Sequence, residues 1–217
     1  MRSRQTCAAC DYDRLMRLHH QPRSRSTRVL WLLEETGQPF ELTVMKREDK
    51  QTDAYLKLHP LGRAPVLEED GGSVFESAAL VLHLADQSPD AGLIGPLGSH
   101  ERALHYQWCF FGMTELEAPL GDVARELWKD SSEPLEAMIE SGRTRFAKAA
   151  AVVEDTLGDG DYLVGDAFSV ADIVVGSVLG FARTAELAEL SPRLAAYVDA
   201  LEARPARQRA TAVQTPA

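Results

Sequence analysis

The spacing of hydrophobic positions changes from segment to segment in the first part of the chain. Residues 15–19 form a short apolar-leaning run, which predicts a buried strand. Residues 27–36 place apolar side chains at helical spacing and stop before Gly37, a residue typical of a helix end. Residues 40–44 alternate apolar and polar positions, as a half-buried strand does. Together these segments predict a β-α-β unit of about 30 residues.

The segments that follow predict a short helix, a hairpin and a further helix. Residues 46–58 are polar with an apolar end. Short strands at 66–67 and 74–75 flank the turn residues Asp70-Gly71-Gly72. A helix is expected over residues 76–85. The order β-α-β-α-β-β-α predicts an α/β fold with a four-stranded mixed sheet and helices packed on it.

The second half of the chain contains only helical periods. Residues 88–98 are rich in Pro, Gly and Ser and predict a linker. Beyond it, the predicted helices cover residues 99–129, 133–157, 169–185 and 192–202. We therefore expect a disordered tail over 1–13, an α/β domain over 14–87 and an all-α domain over 99–217, with a polar end after Arg207.

Charge and composition limit the classes of partner. The chain has 23 Lys and Arg against 33 Asp and Glu, a net charge of −10, which argues against nucleic acid. No apolar stretch approaches the about 20 residues of a membrane helix, and no secretory signal is visible, so we expect a soluble, cytoplasmic protein. Basic residues near the start suit a small anionic ligand or, equally, a solvated helix face. They are Arg14, Arg17, Arg23, Arg25 and Arg28.

Cys7 and Cys10 form a Cys-x-x-Cys pair. A thioredoxin-type redox pair follows the first strand, at the start of the first helix, whereas this pair comes before the strand. We therefore interpret it as part of a frayed terminus rather than as a redox or metal site.

Four motifs occur in one order along the chain. They are residues 22–35 (PRSRSTRVLWLLEE), 59–67 (HPLGRAPVL), 75–80 (FESAAL) and 162–173 (YLVGDAFSVADI). Together they resemble the glutathione S-transferase superfamily, in a bacterial serine-type or related branch. The resemblance implies a thioredoxin-like first domain, an all-helical second domain, glutathione as co-substrate, no metal and a homodimer.

Ser24 lies where the first strand passes into the first helix. It precedes Arg28 by four residues, the spacing of the catalytic serine in the serine-type branches that the chain resembles. Helix N-termini attract anions, and a thiol close to one has a lowered pKa. The resemblance implies that Ser24 donates a hydrogen bond to the glutathione sulfur, with Arg23, Arg25 or Ser26 as helpers or substitutes. In the alternative interpretation, Ser24 or Ser26 only caps the helix.

The second and third motifs imply the rest of a glutathione site. Pro65 resembles the family's cis-proline, and Ala64 before it would offer its backbone to the cysteine part of the ligand. Arg63 would meet the glycine carboxylate, unless it is an ordinary surface arginine. Ser77 and the helix N-terminus would bind the γ-glutamyl carboxylate and Glu76 the ammonium, unless both residues only cap the helix.

The long first helix of the second half carries candidates for a second-substrate pocket. Some of its large apolar side chains must belong to the core, because they cover more than one face. The candidates are Tyr106, Trp108 and Phe111, with Phe110 and Met113 beside them. Further along, Ser169 and Asp172 form a capping box, which we interpret as structural.

The leading hypothesis is therefore a glutathione S-transferase that activates the glutathione thiol for attack on a small apolar electrophile. A glutathione-dependent disulfide or peroxide reductase is the alternative enzyme. A binding or regulatory protein that has the same fold without catalysis is the third hypothesis.

Overall fold

The computed structural model of the protein describes residues 16–130 and 133–214. The predicted tail, with Cys7 and Cys10, lies outside the described residues. The first half contains β1 (Arg17–His20), α1 (Ser26–Thr36), β2 (Glu41–Val44), a 3₁₀ helix (Glu48–Gln51), α2 (Asp53–Leu58), β3 (Val66–Glu69), β4 (Gly72–Phe75) and α3 (Ser77–Gln87). The predicted order of strands and helices in this half is confirmed.

The four strands form one mixed sheet in the order β2-β1-β3-β4. β1 runs parallel to β2 and antiparallel to β3, and β3 pairs antiparallel with β4. Leu18 of β1 lies between Leu42 of β2 and Leu67 of β3, so the middle of the sheet is apolar. The thioredoxin-like arrangement predicted for this half is confirmed, and the chain leaves the central strand β1 directly into the loop that starts α1.

The regular secondary structure in the described part of the second half is all helical. It contains a 3₁₀ helix (Pro89–Ala91), α4 (His100–Phe111), a π-helix (Gly112–Glu117), α5 (Ala118–Leu127), α6 (Glu136–Leu157), α7 (Val170–Thr184), α8 (Pro192–Glu202) and α9 (Pro205–Ala212). The segment predicted as one helix over 99–129 consists of α4, the π-helix and α5 in succession. Within residues 16–130 and 133–214, no helix combines the length and the apolar character that crossing a membrane requires.

The C-terminal end of the described chain differs from the expectation of a polar end after Arg207, because this segment forms α9. The buried residues of α9 are Ala206 and Ala210, one turn apart, and the side chain of Arg209 pairs with Glu34 of α1 at 2.6 Å. Two alanines among charged residues give little hydrophobic contrast, so the periodic pattern did not reveal the helix.

α1 is enclosed from its first residue. The eight residues from Ser26 to Leu33 are buried, because α1 packs against α3 in its own half and against α7 and α9 in the other. The helix ends as predicted at Gly37, which has a φ of 66° and donates its N–H to the carbonyl of Leu33 at 2.9 Å. α1 therefore packs in both halves of the protein, and α3 also reaches α7.

The capping box predicted at the start of α7 is present. The N–H of Ser169 donates to Asp172 Oδ2 at 2.8 Å, and the Ser169 hydroxyl accepts from the N–H of Ala171 at 3.3 Å. The fully buried Asp172 carboxylate also accepts from the Leu163 N–H at 3.0 Å and from the Tyr197 hydroxyl at 2.7 Å. One carboxylate thus joins the preceding loop, the start of α7 and α8, which supports a structural role.

Replacing Asp172 by alanine should lower the free energy of unfolding by about 3 kcal/mol, because several buried donors lose their acceptor together. Tyr197→Phe, which removes one of these hydrogen bonds, should cost about 1 kcal/mol. Asp199→Ala is the control, since its pair with Arg183 is exposed and should contribute less than about 0.5 kcal/mol. Urea unfolding followed by circular dichroism measures all three; equal losses for Asp172→Ala and Asp199→Ala would contradict the assignment.

Candidate functional site

A cleft of about 360 Å³ lies between the sheet half and the helical half. The sheet half lines it with Arg25, His59, Arg63, Ala64, Pro65, Glu76 and Ser77. The helical half lines it with Met113, Glu117, Ala118, Gly121, Asp122 and Arg125. Both sides of the cleft therefore carry charged side chains, and the helical side adds the small or apolar residues Met113, Ala118 and Gly121.

The loop before β3 is shaped by backbone contacts. Gly62 has a φ of 57°, and a Cβ there would lie 2.7 Å from a carbonyl oxygen of the first 3₁₀ helix, so only glycine fits. The hydroxyl of the buried Tyr55 donates to the carbonyl of Arg63 at 2.8 Å. The Ala64–Pro65 peptide bond is cis, as the resemblance implied. The backbone of Ala64 is thus held at the edge of the cleft by a rigid loop.

His59 lies at the base of the same loop and lines the cleft. Its Nδ1 accepts from the N–H of Leu61 at 3.2 Å, and its ring packs on Phe75 with 4.5 Å between ring centroids. Burial lowers the pKa of His59, and this effect outweighs the nearby charge of Glu76, which raises it. A neutral ring at pH 7 supports the loop through a hydrogen bond and packing.

Glu76 and Ser77 form the start of α3. Glu76 is exposed and has a φ of 77°, a backbone conformation that residues other than glycine rarely adopt. Ser77 is 1% exposed, and its hydroxyl accepts from Nη1 of Arg28 at 3.2 Å. Because an accepting hydroxyl still has its own proton, Ser77 can donate to a ligand in the cleft. The free N–H groups and positive end of α3 add to this donor, so the position suits a carboxylate.

The loop between β1 and α1 contains a chain of polar groups. The Ser24 hydroxyl donates to the carbonyl of Gln21 at 2.7 Å and lies 2.8 Å from the Ser26 hydroxyl. The Ser26 hydroxyl in turn lies 2.8 Å from Nδ1 of His20, which is fully buried. Arg23 is exposed, with a φ of 58°. Ser24 is therefore the outer end of a hydrogen-bonded chain that begins inside the sheet half.

A cluster of charged side chains connects the two halves at the cleft. The Glu117 carboxylate, from the π-helix, pairs with the guanidinium groups of Arg28 and Arg25 of the sheet half. Side-chain exposure is 5% for Arg28 and 6% for Glu117, against 51% for Arg25. Burial alone would raise the pKa of Glu117, but the charges and hydrogen bonds of the two arginines outweigh burial and hold the pKa below its ordinary value. The carboxylate is therefore ionised at neutral pH and orients Arg25 at the cleft.

The π-helix brings Met113 and Glu117 to this position. At its first residue, Gly112, a Cβ would lie only 3.1 Å from Cγ1 of Val174, so the chain passes close to α7 there. Nη1 of Arg28 contacts the Met113 sulfur at 3.2 Å. Single π-turns inside α-helices occur frequently at functional sites. Here the wider turn lies where the helical half meets Arg28.

The structure brings five of the predicted binding residues together as lining residues of the cleft. They are Arg63, Ala64, Pro65, Glu76 and Ser77. Ser24 and Arg23 do not line the cleft, but Arg25, the residue after Ser24, does.

The helical wall differs from the expected one. Tyr106, Trp108 and Phe111 do not line the cleft, and Trp108 is 4% exposed, with its ring 5.2 Å from that of Phe111. Met113 does line it. Sequence reasoning missed Glu117, because a single glutamate in a long helical segment is typical of a position that faces solvent.

Comparisons with known proteins agree with this architecture. Residues 18–92 match the family model of the glutathione S-transferase N-terminal domain, and residues 119–200 match that of the C-terminal domain. Glutathione S-transferase GstA of Escherichia coli O157:H7 is 28% identical over 204 residues, which cover 92% of this chain and 98% of that protein. The crystal structure of a glutathione transferase from Methylococcus capsulatus is 32% identical, with a TM-score of 0.80, and 91% of this chain and 97% of that one are covered. A sphingomonad glutathione S-transferase solved in complex with glutathione is 27% identical, with a TM-score of 0.77 and coverage of 90% and 96%.

Replacing Glu117 by alanine should lower the free energy of unfolding by about 3 kcal/mol or more, because Arg28 would keep a buried charge without its partner. The double variant Arg28→Met/Glu117→Leu should recover most of this loss, since neither charge is then buried. Asp122→Ala is the control: Asp122 lines the same cleft, but its partners Arg125 and Arg145 are exposed, so about 1 kcal/mol or less is expected. Urea unfolding measures the free energy of unfolding of each variant. A double variant as unstable as Glu117→Ala would contradict the interpretation.

His20 should make stability depend on pH. Burial lowers the pKa of His20 from 6.5 to about 4, against a smaller opposite effect of its hydrogen bond with Ser26. The unfolded chain takes up this proton as pH falls through 6.5 and the folded protein only near 4, so stabilisation present above pH 6.5 is lost as pH falls towards 4. A pKa difference of this size corresponds to about 3 kcal/mol. Urea unfolding at several pH values should show a smaller loss between pH 7 and about 4.5 in His20→Leu than in the wild type; parallel curves would contradict the assignment.

Proposed function

The chain belongs to the glutathione S-transferase family, and we propose that it binds glutathione in the cleft and activates its thiol for attack on an electrophilic carbon. One observation carries the proposal: the Ala64–Pro65 loop, the start of α3 at Glu76 and Ser77, and Arg25 at the start of α1 all line the same cleft. The similarity to the sphingomonad enzyme solved with glutathione supports this choice of ligand.

In this proposal the peptide part of glutathione lies along the sheet half. The backbone of Ala64 pairs with the cysteine residue of the ligand, in the manner of an added strand. Ser77 and the N-terminus of α3 donate to the γ-glutamyl carboxylate, while Glu76 accepts from the ammonium group. The exposed Arg63 reaches the glycine carboxylate. Each end of the ligand is thus met by a group of opposite charge.

The thiol lies at the start of α1. Ser24 is the hydrogen-bond donor to the sulfur, and its proton turns from the Gln21 carbonyl, 2.7 Å away, to the ligand. The positive end of α1 favours the thiolate over the thiol. Arg25, held by Glu117 at the cleft, adds a positive charge one residue from Ser24. These three effects act in one direction, so they lower the pKa of the bound thiol.

The electrophile occupies the helical side of the cleft. Met113, Ala118 and Gly121 provide a small apolar surface for the body of the substrate. The thiolate donates an electron pair to the electrophilic carbon and forms the C–S bond. The displaced electron pair leaves with a leaving group or moves onto an activated double bond, and the thiol proton has already passed to solvent. The proposal extends to a cytoplasmic homodimer that detoxifies small apolar electrophiles, as the family resemblance implies.

Ser24→Ala should reduce turnover of glutathione with a general aromatic electrophile about 10- to 100-fold, the worth of a hydrogen bond to a charged group. The thiolate absorbance of bound glutathione in the ultraviolet at pH 7 should fall in parallel, with a smaller change in the dissociation constant of glutathione.

Ser73→Ala is the matched control, because Ser73 lies on β4 and donates to the Leu58 carbonyl at 3.3 Å, a contact outside the cleft. Wild-type protein that binds no glutathione would overturn the proposal. Binding without a thiolate signal, together with turnover of disulfides or peroxides, would favour the reductase instead. A thiolate signal unchanged in Ser24→Ala would remove Ser24 from the mechanism.

A further inference from the structure

His20 is a buried polar group that the binding of glutathione does not use. It ends β1, is 0% exposed, and its Nδ1 lies 2.8 Å from the Ser26 hydroxyl. Its other ring nitrogen, Nε2, is buried and has no hydrogen-bond partner among the described residues. His20 is thus a buried polar residue bonded to the loop that carries Ser24, and the proposed binding of glutathione does not by itself explain it.

The absence of a partner for Nε2 within the described part of the chain determines which tautomer of the His20 ring is favoured. A neutral imidazole has one N–H, and burial lowers the pKa of His20 to about 4, so the ring is neutral at pH 7. With the proton on Nε2, a buried N–H donor would have no acceptor, which costs more than an idle lone pair. With the proton on Nδ1, the N–H donates to Ser26. The second tautomer is therefore the one that the site favours.

The donors and acceptors around Ser26 then determine to which atom each serine hydroxyl donates. The Ser26 oxygen has two lone pairs, and it accepts from His20 Nδ1 at 2.8 Å and from the Gln21 N–H at 3.0 Å. No lone pair remains for Ser24, so the Ser26 proton must be donated outwards. Its two acceptors are the Ser24 oxygen at 2.8 Å and the Gln21 carbonyl at 3.0 Å. Ser24 therefore cannot donate its proton to Ser26 and donates to the Gln21 carbonyl at 2.7 Å, the contact that glutathione would replace.

We infer that His20 is a positioning residue. Its Nδ1–H occupies a lone pair of the Ser26 oxygen, so that the hydroxyl proton of Ser24 remains available to the sulfur of glutathione. The inference rests on the proposed role of Ser24. Without the imidazole, Ser26 would have an open lone pair 2.8 Å from Ser24. That lone pair would compete with the sulfur for the Ser24 proton, and the bound thiol would lose part of its hydrogen bond.

The first test is a double-mutant cycle on His20 and Ser26, with the pKa of bound glutathione thiol as the readout. This pKa is obtained from the ultraviolet absorbance of the thiolate as a function of pH. His20→Leu should reduce the thiolate fraction at pH 7 and kcat about three- to tenfold, the net worth of one hydrogen bond, at an unchanged dissociation constant for glutathione. In the Ser26→Ala background the same substitution should have no effect, because the competing oxygen is absent.

Two further variants separate positioning from a general structural effect. His20→Asn retains an N–H donor close to the position of Nδ1 and should restore the thiolate fraction. His19→Leu is the matched control: His19 is the neighbouring histidine of the same strand, 9% exposed, and pairs with Glu68 at 2.6 Å instead of with a serine. Circular dichroism and melting temperature check the folding of each variant. His20→Phe replaces His20→Leu if the latter does not fold.

The outcomes distinguish this inference from the proposed function. If Ser24→Ala leaves the thiol pKa unchanged, the role of Ser24 fails, and the inference fails with it. If Ser24→Ala raises the thiol pKa while His20→Leu does not, or does so equally with and without Ser26, only the inference is overturned.

The tautomer can be tested without any ligand. Long-range ¹H–¹⁵N correlation spectra of the imidazole groups identify the protonated nitrogen, with His20→Asn used for assignment. A proton on Nδ1 of His20 is the expected result. A proton on Nε2 would leave a Ser26 lone pair open to Ser24 and would overturn the inference.

Discussion

The buried guanidinium group of Arg28 is the contact on which the cleft depends. Removing a charge from water costs several kcal/mol unless an opposite charge and hydrogen bonds replace the water. Arg28 is 4% exposed in the first turn of α1, and its counterion, Glu117, comes from the other half of the chain. The arginine can be buried favourably only when the two halves meet. The same side chain donates to Ser77 and touches Met113, so the contact that joins the halves also positions both walls of the cleft.

α1 transmits this constraint along its length. Its first turn follows the loop that carries Ser24 and contains Arg28. Its last turn is held by the helical half through Glu35, which pairs with Arg204 at 2.7 Å and accepts from the Trp31 indole at 2.9 Å. The Arg204 guanidinium also lies 3.6 Å above the ring of Phe168. Both ends of α1 are attached to the helical half. The loop that carries Ser24 therefore cannot shift relative to the helical side of the cleft without breaking one of these ion pairs.

Features with a strong local cause could be predicted from the sequence, while features caused by tertiary contacts could not. The strand and helix order follows from hydrophobic spacing, and the end of α1 follows from Gly37. The lining role of Ala64, Glu76 and Ser77 follows from motifs whose backbone geometry is local. The π-helix was missed, because its wider turn accompanies the close approach of Gly112 to α7, which no periodicity encodes. His20 was missed for a related reason: within a short apolar-leaning strand, a histidine looks like an ordinary core residue.

The cleft thus consists of two layers with different physical roles. The lower layer is buried and polar: the His20 ring bonds to Ser26, and the Arg28 guanidinium donates to Ser77. The upper layer faces the cleft with exposed groups such as Arg25 and Arg63. In a protein of net charge −10, the upper arginines and the N-terminal ends of α1 and α3 supply the positive potential that the proposed thiolate site requires. They can do so only while the lower layer holds those helix ends in place. In the proposed site, the lining residues therefore act on glutathione through their charges and donors, whereas His20 and Arg28 act indirectly, by holding the starts of α1 and α3 in place.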